Sequence, residues 1–249
     1  LASGPAGLAL TELGRYVAQS GLRVSSAVRL ARALRPLHPS QLNRTTLVAA
    51  AQLTDELAAV RVRVNSRGWQ RELQTFAGEL RRHRIAEPML TAMSAVNDRA
   101  MTISRAKRTV ACLLWMGGVP IGQIEALLMR HLPGNDAAGS ARAAADRTQS
   151  IISATIEIAR CLHPGAELDQ LAQLLPIQLE LGIPAELVPL AVHANGNLGR
   201  PDFLRLHHKG LTDPVTVLDA DDETLLKCVG GSISRMGHLR RAAQAAHDD

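Results

Sequence analysis

Aromatic residues are scarce in this sequence, which has two Trp, two Phe and one Tyr in 249 residues. Alternating β-branched residues, the pattern of half-buried strands, are also nearly absent, and the only strand-like stretch is Gly7–Leu10. Ala, Leu, Arg, Glu and Gln, which favour helices, fill most of the chain. The sequence therefore predicts an all-α fold. The D-x-D-D pattern at Asp219–Asp222 lacks the aromatic partners of a carbocation pocket, and we interpret it as the cap of a helix that begins near Asp222.

Long apolar runs, paired cysteines and metal-ligand spacings are missing as well. Ala111–Met116, one of the longest apolar runs, is far shorter than the roughly 18 to 20 residues that span a bilayer. Cys112, Cys161 and Cys228 are far apart, and none of the nine histidines has an H-E-x-x-H spacing. We therefore expect a reduced, cytoplasmic protein with no membrane segment, no disulfide and no metal.

No phosphate-binding loop of the form G-x-x-x-x-G-K-[ST] occurs in the chain. A nucleoside triphosphate could not be held here in the usual way, so we expect neither a cofactor nor catalytic residues in this chain. Because the sequence opens on Leu1 and a loop-like segment rather than on Met, we interpret it as part of a larger protein.

Lysine is rare, since only three of the 28 basic residues are lysines and the rest are arginines. The stretch Val60–Arg108 holds eleven basic residues against four acidic ones, whereas Asp213–Glu223 holds five acids and no base. Guanidinium groups suit phosphate, and a polyanion would meet one attractive side of the molecule. The alternative is that the arginine excess reflects coding bias alone.

Gly, Pro and helix-capping residues divide the chain into segments with helical periodicity, with one of the breaks at Pro133–Asn135. The predicted helices cover residues 25–35, 40–62, 67–84, 87–98, 101–116, 121–131, 139–162, 167–181, 185–193, 200–209, 222–229 and 232–246.

The predicted helix 139–162 has two distinct faces. Its apolar seam consists of Ala141, Ala144, Ala145, Thr148, Ile151, Ile152, Thr155, Ile158, Ala159 and Leu162. Its polar face consists of Arg142, Asp146, Gln149, Ser150, Ser153, Glu157 and Arg160. A row of Arg, Gln and Ser can follow the phosphates and base edges of a single strand. We take Arg142, Arg147, Gln149, Ser150 and Ser153 as candidate nucleic-acid ligands, and an ordinary solvated face is the alternative.

A second candidate is the turn Gly196–Arg200 between two short helices. A G-x-x-G turn lets backbone N–H groups and a helix N-terminus approach a phosphate, with an arginine alongside. Gly196, Gly199 and Arg200 are the candidate ligands here. The alternative is a tight interhelical turn with no ligand.

Four groups of segments carry a resemblance to a known family. They are Leu10–Val17 with Ser25–Ala27 (T-x-L-G-R-x-V and a small-residue helix start), Leu113–Pro120 with Ile124–Glu125, the helix from Gly139, and Leu181–Leu187 with Gly196–Arg200 and His208–Leu211. In this order they resemble the end of a winged helix, the segment before a ratchet helix, the ratchet helix itself and a helix-hairpin-helix. That order is typical of the C-terminal accessory region of superfamily 2 DNA helicases similar to archaeal fork-repair helicases.

The resemblance implies three domains and a function. The domains are the end of a winged helix in residues 1–38, a ratchet-like helical bundle in 39–182, and a helix-hairpin-helix with a C-terminal helix in 183–249. The implied partners are single-stranded or forked nucleic acid, with DNA favoured over RNA, and the motor domains of the parent helicase. ATP and Mg²⁺ would bind to that motor and not to this chain.

One departure from the family concerns the ratchet helix, which there pairs an Arg with a Trp two turns later that stacks on a base. Here Arg142 or Ala143 takes the first place and Gln149 or Ser150 the second. We therefore expect a polar and weaker contact with the strand. The two tryptophans of this chain could compensate, although their helical positions predict core packing.

Two other functions stay open. A helical protein-interaction adaptor would dock an acidic partner on Val60–Arg108, and a transcriptional regulator would read DNA with its N-terminal region. Salt-dependent binding of an oligonucleotide distinguishes a nucleic-acid-binding protein from an adaptor.

Overall fold

The computed structural model describes residues 11–132 and 139–249, together with the backbone of residues 2–4 and 7–9. Within these residues the fold is helical apart from one antiparallel pair of short strands, β1 (Ala2–Gly4) and β2 (Gly7–Ala9). The α-helices of the described part are α1 Glu12–Ser20, α2 Val24–Leu34, α3 Arg44–Ala51, α4 Asp55–Ala58, α5 Trp69–Arg82, α6 Glu87–Ser94, α7 Arg99–Met116, α8 Ile121–Met129, α9 Ser140–Leu162, α10 Asp169–Leu181, α11 Val188–Ala194, α12 Arg200–His208, α13 Pro214–Asp219, α14 Asp222–Cys228 and α15 Ile233–Asp248. Single 3-10 turns lie at Pro39–Gln41 and Ala185–Leu187. The all-α prediction is confirmed.

The predicted single helix 40–62 is wrong, because the chain forms α3 and α4 there and continues in a segment without regular secondary structure. The Thr54 hydroxyl donates to the Ala51 carbonyl at 2.9 Å and closes the end of α3. The Asp55 N–H then donates to the Ser26 hydroxyl of α2 at 2.9 Å. This first amide of α4 is therefore satisfied by a neighbouring helix, and α3 does not need to continue.

Helices α1 and α13 are absent from the predicted set, although each begins at a recognisable cap. The Gly14 N–H donates to Thr11 Oγ1 at 3.1 Å in α1, and the Thr216 N–H donates to Asp213 Oδ1 at 3.0 Å in α13. The cap predicted for the helix near Asp222 is confirmed, since the Thr224 N–H donates to Asp221 Oδ1 at 2.8 Å. The predicted break at Pro133–Asn135 lies outside the described residues.

The chain divides into two compact units, and the first comprises Leu1–Trp115 and Val119–Pro176. In this unit α9 packs against α1, α2, α3, α4 and α8. Most of α7 from Ile103 to Met116 is also buried. The Cys112 thiol and the Thr148 hydroxyl, 3.4 Å apart, connect α7 to α9. These two long helices carry much of the core of the unit.

The second unit comprises Met116–Gly118 and Ile177–Asp249. Here α11 and α13 pack against α15, and α12 packs against α14. The boundary at Pro176 falls inside α10, close to the predicted end of the helical bundle at residue 182. Residues 1–38, predicted as a separate domain, are grouped with the bundle.

No single helix in the described part of the chain is long and apolar enough to cross a membrane. Asp169–Leu181 and Ala185–Ala194 satisfy the length and composition test only as a pair, across a bend of 96°. Among the described residues no three His, Cys, Asp or Glu side chains are grouped as metal ligands would be.

Candidate nucleic-acid interface

Helix α9 has the two faces that its periodicity predicts. Every predicted seam residue except the half-buried Leu162 is buried, and Ile156 is buried in addition. On the opposite side Arg142, Arg147, Ser150 and Ser153 are exposed and Gln149 is half-buried. The five candidate ligands of this helix thus lie together on the accessible side of α9.

Arg142 is held in position by two neighbours. Its Nε donates to Asp146 Oδ1 at 2.7 Å, and each of these side chains is 51% exposed. Its guanidinium also lies over the ring of Trp115, 5.3 Å from the ring centroid. Trp115 is buried, as its helical position predicts, so it supports Arg142 from below and is not exposed to a base.

Ser150 lies on the polar face, and Arg147 lies beside that face, at the border of the buried seam. Arg147 Nε donates to the Glu56 carbonyl of α4 at 3.3 Å, and the Ser150 hydroxyl donates to the Arg147 carbonyl at 2.8 Å. The Ser150 oxygen can still accept a hydrogen bond, and the remaining guanidinium N–H groups of Arg147 can donate to phosphate. This part of α9 therefore offers directed donors beside a positive charge.

The C-terminal end of α9 is neutralised. Arg160 pairs with Glu157 and, at 2.7 Å, with Asp169. The hydrogen bond that Arg160 donates to Glu157 raises the pKa of Arg160, and the charge of Glu157 raises the pKa of Tyr16 on α1. Glu157 and Asp169 offset Arg160, and Asp146 offsets Arg142, so the net positive charge of the accessible side of α9 comes from Arg147.

The Gly196–Arg200 turn forms the connection between α11 and α12. Asn195 and Gly196 take positive φ values of 53° and 75°, which closes the turn. The Gly199 N–H donates to Asp202 Oδ2 at 3.0 Å, so a carboxylate of the same helix already occupies the N-terminus of α12. Arg200 Nε donates to the Gly182 carbonyl at 2.9 Å. These contacts are those of a tight interhelical turn, and phosphate binding at Gly196, Gly199 and Arg200 stays a prediction.

The candidate residues fall in both units. Those of α9 belong to the first unit, and those of the Gly196–Arg200 turn belong to the second.

The basic stretch Val60–Arg108 is less accessible than its charge suggests. Arg105, Lys107 and Arg108 are buried, so three of the eleven basic residues of this stretch do not contribute to the accessible surface. The exposed ones are Arg61, Arg63, Arg67, Arg71, Arg81, Arg82, Arg84 and Arg99. Of the four acids only Glu72 is buried, and the accessible surface of this stretch therefore stays strongly positive.

Two of the buried cations, Lys107 and Arg108, bind backbone carbonyls of the segment that precedes α5. Lys107 Nζ donates to the Arg63 carbonyl at 2.6 Å and forms an ion pair with Glu72, both side chains being 0% exposed. Arg108 Nη1 donates to the Val60 carbonyl at 3.3 Å. This segment is not helical, so its carbonyls can accept hydrogen bonds from α7. Arg and Val alternate over residues 61–64, and this period of two is a sequence signal against a helix here.

Burial also sets the protonation states of Arg108 and Cys112 in this interior. Desolvation lowers the pKa of Arg108 to about 10, and it raises the pKa of Cys112 to about 12. At neutral pH Arg108 is charged and the Cys112 thiol is protonated, so Cys112 is no nucleophile. Arg108 Nε donates to Gln52 Oε1 at 3.2 Å, and Gln52 Nε2 donates to Thr148 Oγ1 at 2.9 Å. This chain of polar groups fixes α7 against α9.

Trp69 lies at the start of α5, half-buried, with the Arg99 guanidinium 4.5 Å from its ring centroid. Core packing, predicted for both tryptophans, therefore holds for Trp115 and only partly for Trp69. Because Arg99 covers its ring, Trp69 is not an open platform for a base.

No protein-family model matches the chain, and no curated protein is significantly similar to it. The resemblance to superfamily 2 helicases therefore rests on the segments quoted above.

Proposed function

We propose that this chain is the nucleic-acid-gripping accessory region of an ATP-dependent superfamily 2 helicase, and that it holds single-stranded DNA during unwinding. The observation that carries the proposal is α9, a 23-residue helix that buries one face and presents Arg, Gln and Ser along the other. At 1.5 Å per residue such a helix is roughly 35 Å long. It could therefore lie beside several successive nucleotides.

The chemistry of this face favours phosphate over base stacking. Arg142 and Arg147 supply guanidinium donors, and Ser150 and Ser153 supply hydroxyls. No aromatic side chain lies among the exposed residues of α9. Stacking of a base on an aromatic ring contributes about 1 to 3 kcal/mol, so strand binding without it should be weak and dominated by charge.

The proposal also includes the motor domains of the parent helicase. The parent protein would supply the domains that bind ATP and Mg²⁺, while this chain would supply a winged-helix end, a ratchet-like bundle and a helix-hairpin-helix. In that arrangement the turn at Gly196, Gly199 and Arg200 would contact the backbone of forked DNA in the cytoplasm.

The test is a titration of the purified chain into a labelled oligothymidylate of about 12 nucleotides, within the size range of single-strand sites. Fluorescence anisotropy between about 50 and 200 mM salt gives the affinity at each concentration. We expect the logarithm of the association constant to fall linearly with the logarithm of salt concentration. Failure to bind at the lowest salt concentration would overturn the proposal.

A second candidate function, a helical adaptor, is favoured by a groove between α1 and α2. The groove has a volume of about 610 Å³, and Leu13, Val17, Val24 and Val28 line it. Arg32 and Arg35 also line the groove, and both are exposed. An amphipathic partner helix with an apolar face and flanking carboxylates would complement both features.

A pair of synthetic helical peptides tests the adaptor. Both carry apolar residues at i, i+3, i+4 and i+7, and they differ only in having Glu or Lys beside that face. An adaptor should bind the Glu peptide and lose it on Val24→Asp, since Val24 is exposed and lines the groove. Equal binding of both peptides, or of neither, would count against an adaptor.

A further inference from the structure

The exposed side of the segment Val60–Val64 borders a pocket that no function discussed so far uses. The pocket has a volume of about 430 Å³, within the range of about 300 to 1,000 Å³ typical of small-molecule sites. Its apolar lining includes Val60, Val62, Val64 and Met101. Its polar lining includes Arg61, Arg63, Asp98, Ser104 and Arg108.

Two of these arginines are available to a ligand. The side chains of Arg61 and Arg63 are exposed, and neither has a hydrogen-bonding or ionic partner among the described residues. Their backbone is nevertheless fixed, since Lys107 and Arg108 hold the carbonyls of residues 63 and 60. A rigid segment thus presents two unpaired guanidinium groups beside an apolar surface.

Asp98 gives the pocket a hydrogen-bond acceptor. Its Oδ1 accepts the N–H groups of Ala100 and Met101 at 2.8 and 3.3 Å, which caps α7. Its Oδ2 has no partner in the described residues and remains able to accept from a ring N–H or amino group. An unstacked nucleotide needs an apolar wall for its base, an acceptor for a ring N–H or amino group, and donors for its phosphates.

The pocket is close to the polar face of α9. Ala58, the last residue of α4, lines the pocket, and the Glu56 carbonyl in the same helix accepts from Arg147 of α9. Helix α4 has four residues, which corresponds to about 6 Å along its axis. A strand that passes Arg147 can therefore reach the pocket by crossing one helical turn.

We propose that this pocket binds one unstacked nucleotide of the single strand that α9 holds, with its base against Met101 and the valines and its phosphates on Arg61 and Arg63. The inference rests on the function proposed above, because it needs a strand beside α9. It adds a base-dependent contact that the polar face of α9 alone does not provide.

The test compares two oligonucleotides with equal numbers of phosphates, an oligothymidylate of about 12 nucleotides and its abasic counterpart. The wild-type chain should bind the oligothymidylate about tenfold more tightly, since one base gains an apolar contact. Ala100→Leu should bring this ratio close to one without changing the charge, because Ala100 is exposed and lines the pocket.

A charge variant tests the phosphate end. Arg61→Gln with Arg63→Gln should make the salt dependence shallower by about 1.4 in logarithmic slope, since each single-strand phosphate contact contributes about 0.7. The matched control, Arg81→Gln with Arg82→Gln, removes the same charge from exposed positions that do not line the pocket. This control should keep both the slope and the preference for bases.

The outcomes separate the two proposals. Equal affinity of the wild-type chain for both oligonucleotides, or an unchanged ratio in Ala100→Leu, overturns the nucleotide pocket and leaves the grip by α9 standing. If the Arg61 and Arg63 variant and its control have equal slopes of affinity against salt concentration, the nucleotide-pocket proposal is also overturned. No binding of either oligonucleotide at low salt overturns the proposed function, and the pocket inference with it.

Discussion

Lys107 and Glu72 form an ion pair that is withdrawn from solvent, with the Lys107 ammonium 5.3 Å from the centroid of the Phe76 ring. Glu72 Oε2 also accepts the Asn65 N–H at 2.7 Å. Burial lowers the pKa of Lys107, while Glu72 favours its charged form. Each partner thus compensates for the desolvation of the other, and neither is expected to tolerate the loss of its partner.

Lys107→Met should lower the free energy of unfolding of the first unit by about 3 to 5 kcal/mol, because it leaves a buried carboxylate without a cation. Urea unfolding followed by tryptophan fluorescence measures it, since both tryptophans, Trp69 and Trp115, lie in that unit. Adding Glu72→Gln, which keeps an acceptor for the Asn65 N–H, should restore most of the stability. A double variant as unstable as Lys107→Met would contradict this account.

Asp55 makes the first unit sensitive to acid. Hydrogen bonds from Arg29, at 2.8 Å, and from Ser25 lower the pKa of Asp55 from its ordinary value of 3.8. A carboxyl group with a lowered pKa stabilises the fold above its ordinary pKa and loses this contribution as pH falls through its folded pKa. We expect Asp55→Asn to cost about 1 kcal/mol at pH 7, since the pair is partly exposed. The difference from wild type should shrink below pH 3.8, and urea titrations at both pH values measure it.

At the scale of elements, α9 is where sequence periodicity and structure agree best. Changing Arg142, Gln149 and Ser150 together to Ala should weaken oligonucleotide binding and leave stability nearly unchanged, because all three lie outside the buried seam. Removing Arg142 also leaves the Asp146 carboxylate without its cation, which adds repulsion toward phosphate. Anisotropy titrations and melting temperatures measure the two effects.

Ile152→Ala is the control for this helix. Ile152 is fully buried, so its truncation should cost about 2 to 5 kcal/mol of stability. At temperatures where both variants are folded, Ile152→Ala should bind the strand as the wild type does. A triple variant that melts normally and binds normally would show that the polar face of α9 does not hold the strand.

The faces of α9 could be predicted because one long amphipathic helix repeats its pattern over many turns. The break between α3 and α4 could not be predicted, because it depends on a hydrogen bond to Ser26 in another helix. The interior cations of α7 were missed for a similar reason. Charge in a sequence does not reveal whether a side chain such as Lys107 meets a carboxylate and a free carbonyl inside the core or reaches solvent. The pocket beside Val60–Val64 could not be predicted, because the helical pattern of residues 40–62 continues past the actual end of α4 at Ala58.

At the scale of the whole molecule, the sequence contains no phosphate-binding loop of the form G-x-x-x-x-G-K-[ST]. We therefore expect the purified chain to show no ATPase activity, with or without single-stranded DNA. A coupled assay with increasing protein concentration measures it. ATP hydrolysis that increases with the concentration of the chain and persists through further purification would contradict the proposal that a separate motor hydrolyses ATP.

The way in which Val60–Val64 is anchored has a consequence for mutational tolerance. Lys107 and Arg108 bind this segment through main-chain carbonyls, which every amino acid possesses. These two anchors therefore do not depend on the side chains of residues 60 and 63. We therefore expect substitutions at the exposed Arg61 and Arg63 to leave the scaffold intact, so that ligand preference at this surface can diverge between related proteins, or be redesigned, without loss of the fold.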